Sequence, residues 1–331
     1  MKAAKPDPKN KEQYAIVDRI EKPRREQTEN KNAPRTGRRR ALHMTGDGLF
    51  MKEFWKPGRT ELEAVLLCGN FADRLTEDPA FREKVLSLDP AVKAMEMPQH
   101  TPFHDYTVLM HTAHAVDAVS PEGLTQPEYR LLKAAAFFHD IGKPETVLYR
   151  TDAEGFLRTG FPGHPEKSAE IAERLLPRFG YAGEELRLLL FYIRAHDMFL
   201  SFRRSTDPPL AKGRGIEIGR ESVRKRVETY IKWSPEKGLG WHDFVVLCSL
   251  AAADMAAHAE VSYEPPRPEI GIDRAGKIIR HAPPGGFVEL EDGAKVWEHV
   301  IDTAEAKVAR ILEIRKICRE FDHLERDSEI R

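Results

Sequence analysis

The stretch that most constrains this chain is Phe137-Phe138-His139-Asp140-Ile141-Gly142-Lys143-Pro144, where an apolar run ends in two adjacent residues of metal-ligand type. The preceding residues, Glu128 to Phe138, set apolar side chains at helical spacing among strong helix formers. Gly142 then permits a turn and Pro144 discourages continuation, so the pattern predicts His139 and Asp140 on the last turn of a largely buried helix. Neighbouring helical side chains diverge by about 100°, so both reach one ion only if it lies in the wedge between them, which a helix end allows. Alone, a His-Asp pair is weak evidence, since most lie on surfaces. Directly after Ala134-Ala135-Ala136-Phe137-Phe138 it is costly to bury unless it is hydrogen-bonded or holds a cation.

With 41% apolar residues in 331, the chain can bury a real core, as one large domain or two small ones. No apolar run approaches the roughly 20 residues a membrane span needs, and the first residues lack the apolar segment of a secretory signal. Cys68, Cys248 and Cys318 lie far apart without paired spacing, which fits reduced, mostly core-filling thiols and predicts a cytoplasmic protein. The formal net charge of −1 supplies no global pull on nucleic acid, so any such binding is expected to be local.

Residues 1–44 are rich in Lys, Arg, Asn, Pro and Glu and are expected to form a disordered basic tail, or an extension upstream of a start at Met44 or Met51. Residues 45–98 form an N-terminal helical segment, with amphipathic helices from Glu61 and from Asp78-Pro79 and a shorter one at Asp89-Pro90. Residues 99–262 carry the candidate chemistry, in four further patches. Gln99 to Thr112 contains His104 and His111. A hairpin from Val147 to Arg158, turning at Asp152 to Gly155, leads to Phe161-Pro162-Gly163-His164-Pro165, where Pro165 predicts a helix start and an exposed His164 at its cap. The helix through Ala169 to Phe179 is expected to close at Gly180, and the next, from Glu184, ends its apolar run in His196-Asp197. The helix from Asp243 to Ala257 sets Asp254 among alanines, with His258 one turn further.

Residues 263–331 are expected to supply a short β connector and a long C-terminal helix. Strands at Gly271 to Ile279 and Phe287 to Leu290 are expected to pair with each other. An apolar stripe through Trp297, Ile301, Ala304, Val308, Ile311, Cys318 and Phe321 either packs back on the domain or forms a homodimer seam.

The segment Phe137 to Pro144 resembles the signature of the HD-domain metal-dependent phosphohydrolases, in the form found beside tRNA nucleotidyltransferases and in stand-alone relatives. Residues 99–112 are similar to that family's first motif, with Met110 where relatives often carry an acidic residue. Phe161-Pro162-Gly163-His164 is similar to an element of the two-metal subfamily, and the stretch around Asp254 to its closing aspartate. The resemblance covers about residues 99–258 and implies an all-α fold: an HD-domain helical bundle with a small β-hairpin and a long final helix. It implies that His111, His139, Asp140 and Asp254 bind one metal, and that His164, His196 and a bridging Asp140 bind a second. His104 matches the histidine near substrate. His114 and His258 lack a firm motif match, and Asp197 is either an orienting partner or an ordinary cap.

Imidazole and carboxylate suit Mn, Fe, Ni, Co, Zn or Mg, and two carboxylates leave much of a two-metal charge for an anionic substrate. Two ions about 3.5–4 Å apart activate water and clamp phosphoryl oxygens. The expected function is therefore a divalent-metal phosphohydrolase acting on a small phosphorylated or nucleotide-type substrate, a phosphomonoester or cyclic phosphodiester. Asp140 and Lys143 are its expected catalytic residues, and His104, Lys143, Arg203 and Arg204 its substrate contacts. Arg203 and Arg204 open a basic segment with Lys212, Arg214, Arg220, Arg224, Lys225 and Arg226. This segment is either a solvated face or, with the tail, a surface for nucleic acid. No nucleotidyltransferase half is present. Two other readings stay open: a di-iron oxygenase with the same six ligands, and a non-catalytic regulatory module.

Overall fold

Helix α6 (Gln126–Phe138) organises the bundle, because its C-terminal half is buried on every side: Leu131, Leu132, Lys133 and Ala134 through Phe138 all lie inside. A helix apolar all round must have neighbours all round. Thr125 and Glu128 close a capping box at its start. Lys133 keeps its place in the core by donating from Nζ to the Val116 carbonyl at 2.6 Å. The computed structural model describes residues 58–99, 101, 103–151, 157–205, 215–259, 261–263, 269–272, 278–281, 288–289, 295–296 and 300–329. The expected basic tail, Lys212 and Arg214 lie outside these residues.

Four short helices precede the central region: α1 (Arg59–Leu66), α2 (Phe71–Glu77), α3 (Pro79–Leu86) and α4 (Pro90–Ala94). Asp78 and Asp89 cap α3 and α4, each followed by the expected proline. Helix α2 was not expected. Its first N–H groups are capped by the distant Asp117, with Phe71 N and Ala72 N donating to its carboxylate at 2.9 and 2.8 Å, while the local cap residue Asn70 makes no side-chain cap bond. Helices α5 (Val108–Ala118), α8 (His164–Leu175), α9 (Gly183–Ala195) and α11 (Trp241–Ala256) surround α6, as does α1. A one-turn helix α7 (Lys143–Thr146) follows Gly142, and a 3₁₀ turn over Leu176–Phe179 ends at Gly180, whose φ is 86°. Helix α10 (Arg220–Trp233) carries Arg220, Arg224, Lys225 and Arg226, and buries only Val223 and Val227.

The hairpin is present as β1 (Leu148–Thr151) paired antiparallel with β2 (Leu157–Gly160); its turn lies outside the described residues. Strands β3 (Phe202–Arg203) and β4 (Ile216–Glu217) form a short parallel pair. After α11, β5 (Val261–Tyr263) pairs antiparallel with β10 (Val300–Thr303). Between them, β6 (Glu269–Ile272) pairs with β7 (Ile278–His281), and β8 (Val288–Glu289) with β9 (Lys295–Val296). The two regions expected to pair with each other instead pair locally. Neighbouring strands close with a short loop, at lower entropic cost than a longer-range match.

The β5–β10 pair returns the chain to α11, along which the final helix α12 (Ala304–Glu329) packs. Ile311, Ile314 and Cys318 are buried there, and Phe321 stacks on Trp241 with ring centroids 4.4 Å apart. From Val308 to Phe321 the apolar stripe thus packs back on the chain's own domain; the helix starts only at Ala304, Ile301 belongs to β10, and Trp297 lies outside the described residues. A homodimer through α12 would use its other face, where Leu312 and Leu324 are about half exposed. Among the described residues, no helix is long and apolar enough to cross a membrane.

Candidate metal centre

Six helix-borne side chains meet at one point because their helices end or begin there. His111 lies one turn into α5, His139 and Asp140 follow the last residue of α6, His164 opens α8, His196 follows α9, and Asp254 lies near the end of α11. All six are buried; His164, the most open, is 9% exposed.

The orientation of the four imidazoles is fixed from behind. Each Nδ1 faces a backbone carbonyl: Ala257 for His111 at 3.1 Å, Ala136 for His139 at 2.7 Å, Phe161 for His164 at 2.9 Å, and Ile193 for His196 at 2.7 Å. For His139 and His196 the carbonyl belongs to the last turn of the preceding helix, which no intrahelical N–H satisfies. One N–H···O contact therefore caps the helix and turns Nε2 inward. With the proton on Nδ1, each Nε2 presents a lone pair to a common centre, the arrangement by which outer partners orient metal-binding histidines.

The two Asp140 oxygens face different partners. Oδ2 lies 3.2 Å from His139 Nε2 and 3.4 Å from His111 Nε2, both of which also face Asp254 Oδ1, at 3.4 and 2.9 Å. Oδ1 lies 3.2 Å from His164 Nε2 and 3.7 Å from His196 Nε2. His164 and His196 bring their Nε2 atoms within 3.2 Å of each other. His111 Nε2, His139 Nε2 and both Asp140 oxygens are buried and make no well-aligned hydrogen bond, facing only one another, the other cluster side chains and the Lys143 ammonium. Such atoms are costly to leave unmatched, and a cation accepting their lone pairs removes the cost. The donor set of imidazole nitrogen and carboxylate oxygen fits a divalent transition metal.

The protons of the metal-free site report the same demand for positive charge. Burial works against a charged His139, but the carboxylates of Asp140 and Asp254 prevail and hold it up to about 10. His111 is raised against its burial by the same two carboxylates. Asp140 and Asp254 are held well below the usual carboxylate range: burial opposes this, but His139, His111 and, for Asp140, Lys143 overcome it. Burial lowers His196, and drives His104 and His258 well below the ordinary imidazole value.

Lys143 is buried, with Nζ 2.7 Å from Asp140 Oδ2 and 2.9 Å from Gln99 Oε1. His104 packs edge-on against His111 and His258, with ring centroids at 4.7 and 4.6 Å. Its loop is tied to the end of α11 by Ala259 N donating to the Phe103 carbonyl at 2.8 Å. A cavity of about 460 Å³ opens over the cluster; His104, Asp140, Lys143, His164, His196 and Asp254 all line it.

Several sequence expectations change in this setting. His164 is the first residue inside α8 and points into the cluster, because Gly163 at φ 73° turns the chain and Phe161 holds Nδ1. Gly142 has an ordinary helical φ of −84°, so it is not required for the turn. A side chain there would meet Ser168 N at 2.5 Å, Lys167 C at 2.8 Å and the His164 carbonyl at 2.9 Å, so Gly142 allows the His-Asp turn to lie against α8. Arg203 and Arg204 do not line the cavity. Arg203 Nε donates to the Gly215 carbonyl at 3.4 Å, and Arg204 pairs with Glu313 of α12 at 2.9 Å. Asp197 does not orient a histidine from behind, since backbone carbonyls hold that place. Its oxygens lie 3.3 Å from Nε2 of His164 and 3.3 Å from Nε2 of His196, on the coordinating side. His114 stands apart from the cluster, against Tyr106 at 4.4 Å.

Helix ends converging on buried histidines and aspartates define a metal-binding helical domain. Residues 104–209 match the HD domain family, a span in which five of the six converging residues fall. Asp254, the sixth, comes from α11 beyond the matched span. No curated protein matches the chain.

Proposed function

We propose that this chain is a divalent-metal-dependent phosphohydrolase with a binuclear site, cleaving a phosphomonoester or cyclic phosphodiester of nucleotide type. The observation that supports the reading is the division of Asp140 between two sets of imidazoles, which suits it to bridge two ions. His111, His139, Asp254 and Asp140 Oδ2 would hold one ion, and His164, His196 and Asp140 Oδ1 the other. Bound divalent cations supply Lewis acidity toward a phosphoryl group and make water acidic enough to act as a nucleophile near neutral pH.

The protein's own groups support an anionic substrate. Two dications against the carboxylates of Asp140, Asp254 and Asp197 leave positive charge at the cavity floor, and Lys143 adds to it. His104 stays neutral in its buried place beside His111, so it is suited to a hydrogen bond with substrate rather than to charge pairing. The enclosing cavity falls in the size range of small-molecule sites.

The test is metal analysis of the purified chain, followed by phosphate release from phosphomonoesters and cyclic nucleotides with Mn²⁺, Ni²⁺, Fe²⁺ or Mg²⁺. Near-two metal equivalents, with turnover lost in His139→Ala, support the reading. Tightly held iron with O₂ consumption and no phosphate release replaces it with an oxygenase, and failure to bind any metal removes the site.

A further inference from the structure

The ammonium at the floor of the cavity is held by two acceptors of different charge. Lys143 Nζ lies 2.7 Å from Asp140 Oδ2, 2.9 Å from Gln99 Oε1 and 5.3 Å from the centre of the Phe161 ring. Lys143 and Phe161 line the cavity; Gln99 does not, and is fully buried. The other end of the Gln99 amide is also engaged, with Nε2 donating to the Tyr106 carbonyl at 3.3 Å. Tyr106 lies two residues beyond His104, in a loop closed at its base by the bridge between Pro98 and Thr107 and by Val108 N donating to the Met97 carbonyl at 3.0 Å. One buried side chain therefore ties the turn after Asp140 to the His104 loop, with its carbonyl oxygen aimed at the ammonium.

We propose that Gln99 is a positioning residue, which holds the Lys143 ammonium at the cavity floor as an undiminished positive charge for an anionic group of the substrate. The inference rests on the phosphohydrolase reading for the nature of that anion. Asp140 Oδ2 faces the imidazoles of His111 and His139 as well as Lys143, so its negative charge is shared between the ammonium and any cation those imidazoles hold. A cation there also repels the ammonium at close range, and a second acceptor keeps Lys143 in place. An amide oxygen serves as that acceptor without cancelling the charge, whereas a carboxylate in the same position would neutralise it. Because Tyr106 holds the far end of the amide, the acceptor is oriented before substrate arrives, and less ordering remains to be done on binding.

The experiment uses the full chain loaded with Mn²⁺ and two variants. Gln99→Met and Gln99→Glu both lose the bond to Tyr106; the glutamate restores an acceptor for Lys143 but cancels its charge. Calorimetric titration with inorganic phosphate reads anion affinity without turnover, and 4-nitrophenyl phosphate supplies kcat and KM. Both variants are expected to bind phosphate about tenfold or more weakly, the scale of one charge-assisted contact, and to raise KM by a similar factor with kcat changed less. Both are expected to keep their metal complement. Added to Lys143→Met, Gln99→Met is expected to change phosphate affinity by less than about twofold, because the group it positions is gone. If no phosphoester is hydrolysed but phosphate binding follows this pattern, the positioning role stands and the hydrolase reading falls. Wild-type phosphate affinity in Gln99→Glu overturns the role. So does a loss from Gln99→Met that is as large with Lys143→Met as without it, or a wild-type chain that loads metal and binds no phosphate. Should Gln99→Met fail to fold, phosphate affinity in Gln99→Glu decides alone.

Discussion

Asp140 turns Oδ1 toward His164, 3.2 Å from Nε2, while its Oδ2 faces His139 and His111. A single carboxylate thus joins ligand sets delivered by α5 and α6 on one side and α8 and α9 on the other. Asp140→Asn preserves the volume but replaces one oxygen with an NH2 group that cannot ligate, so the side chain can no longer offer an oxygen on each side. Removing an outer partner of a metal site costs about 10–100-fold in affinity, and loss of a bridging ligand should cost more. The variant is expected to fold with unchanged far-ultraviolet circular dichroism, to bind metal at least about 100-fold more weakly on both sides, and to lose phosphate release. Retention of a full metal complement would show that Asp140 bridges nothing.

Asp197 faces one half of the cluster. Its carboxylate faces Nε2 of His164 and His196 and is 29% exposed, so it lies on the cavity side of that pair. Asp197→Ala is expected to weaken the ion held by His164 and His196 while sparing the one held by His111, His139 and Asp254. Metal titration should then show one tight equivalent and one weakened by about tenfold or more. Two equally weakened equivalents would mean that Asp197 acts on the cluster as a whole.

The sequence shows four of the candidate ligands clearly because they lie at or near the point where an apolar helix stops, and burial of a histidine or aspartate at such a point demands a partner. His139, Asp140, His196 and Asp254 all carry that local signal. The α12 wall of the cavity carries none. Lys307 and Arg310 flank the apolar stripe of α12 like ordinary surface cations, and only the β5–β10 pairing brings them over the cluster. Arg203 and Arg204 stand beside a ligand in sequence, yet one is engaged by Gly215 and the other by Glu313. Helix α2 was illegible for the same reason, its cap coming from Asp117, some 45 residues away. What depends on a single helix could be read; what depends on which helices meet could not.

Gly142 joins fold to site. Its N–H donates to Ser168 Oγ at 2.9 Å, and the backbone of α8 fills the space where a Cβ would stand. Gly142→Ala must push the turn after Asp140 away from the helix that begins with His164. Overpacking of this kind costs about 1–3 kcal/mol. At roughly 2–4 °C per kcal/mol for a domain of this size, the melting temperature should fall by about 2–12 °C. Metal affinity should fall with it, because Asp140 and His164 are displaced relative to each other. Ser168→Ala removes the hydrogen bond without the clash and is expected to cost about 1 kcal/mol, with metal binding largely kept. Thermal denaturation and metal titration of the pair separate crowding from the lost bond; equal effects would mean that the close approach is unimportant.

The protons on the cluster set a pH dependence whose sign follows from their direction. In the metal-free chain, His139 is raised to about 10 from an ordinary value of 6.5, and His111 is raised as well. The stabilisation these charged imidazoles draw from Asp140 and Asp254 is complete below about pH 6.5 and is lost as pH rises toward 10. The two aspartates are depressed, so their contribution is present above about pH 4 and is lost in acid. Metal must displace the imidazole protons to bind, so its affinity should increase over the range where the metal-free protein weakens. Between pH 6 and 8.5 the chelator-treated chain is expected to lose thermal stability, while the increment given by a fixed concentration of Mn²⁺ grows. His139→Ala should flatten the decline in the chelator-treated chain. A metal increment that stays constant over this range would mean that the buried imidazoles are already neutral before metal arrives, and that the carboxylates are matched by some other cation.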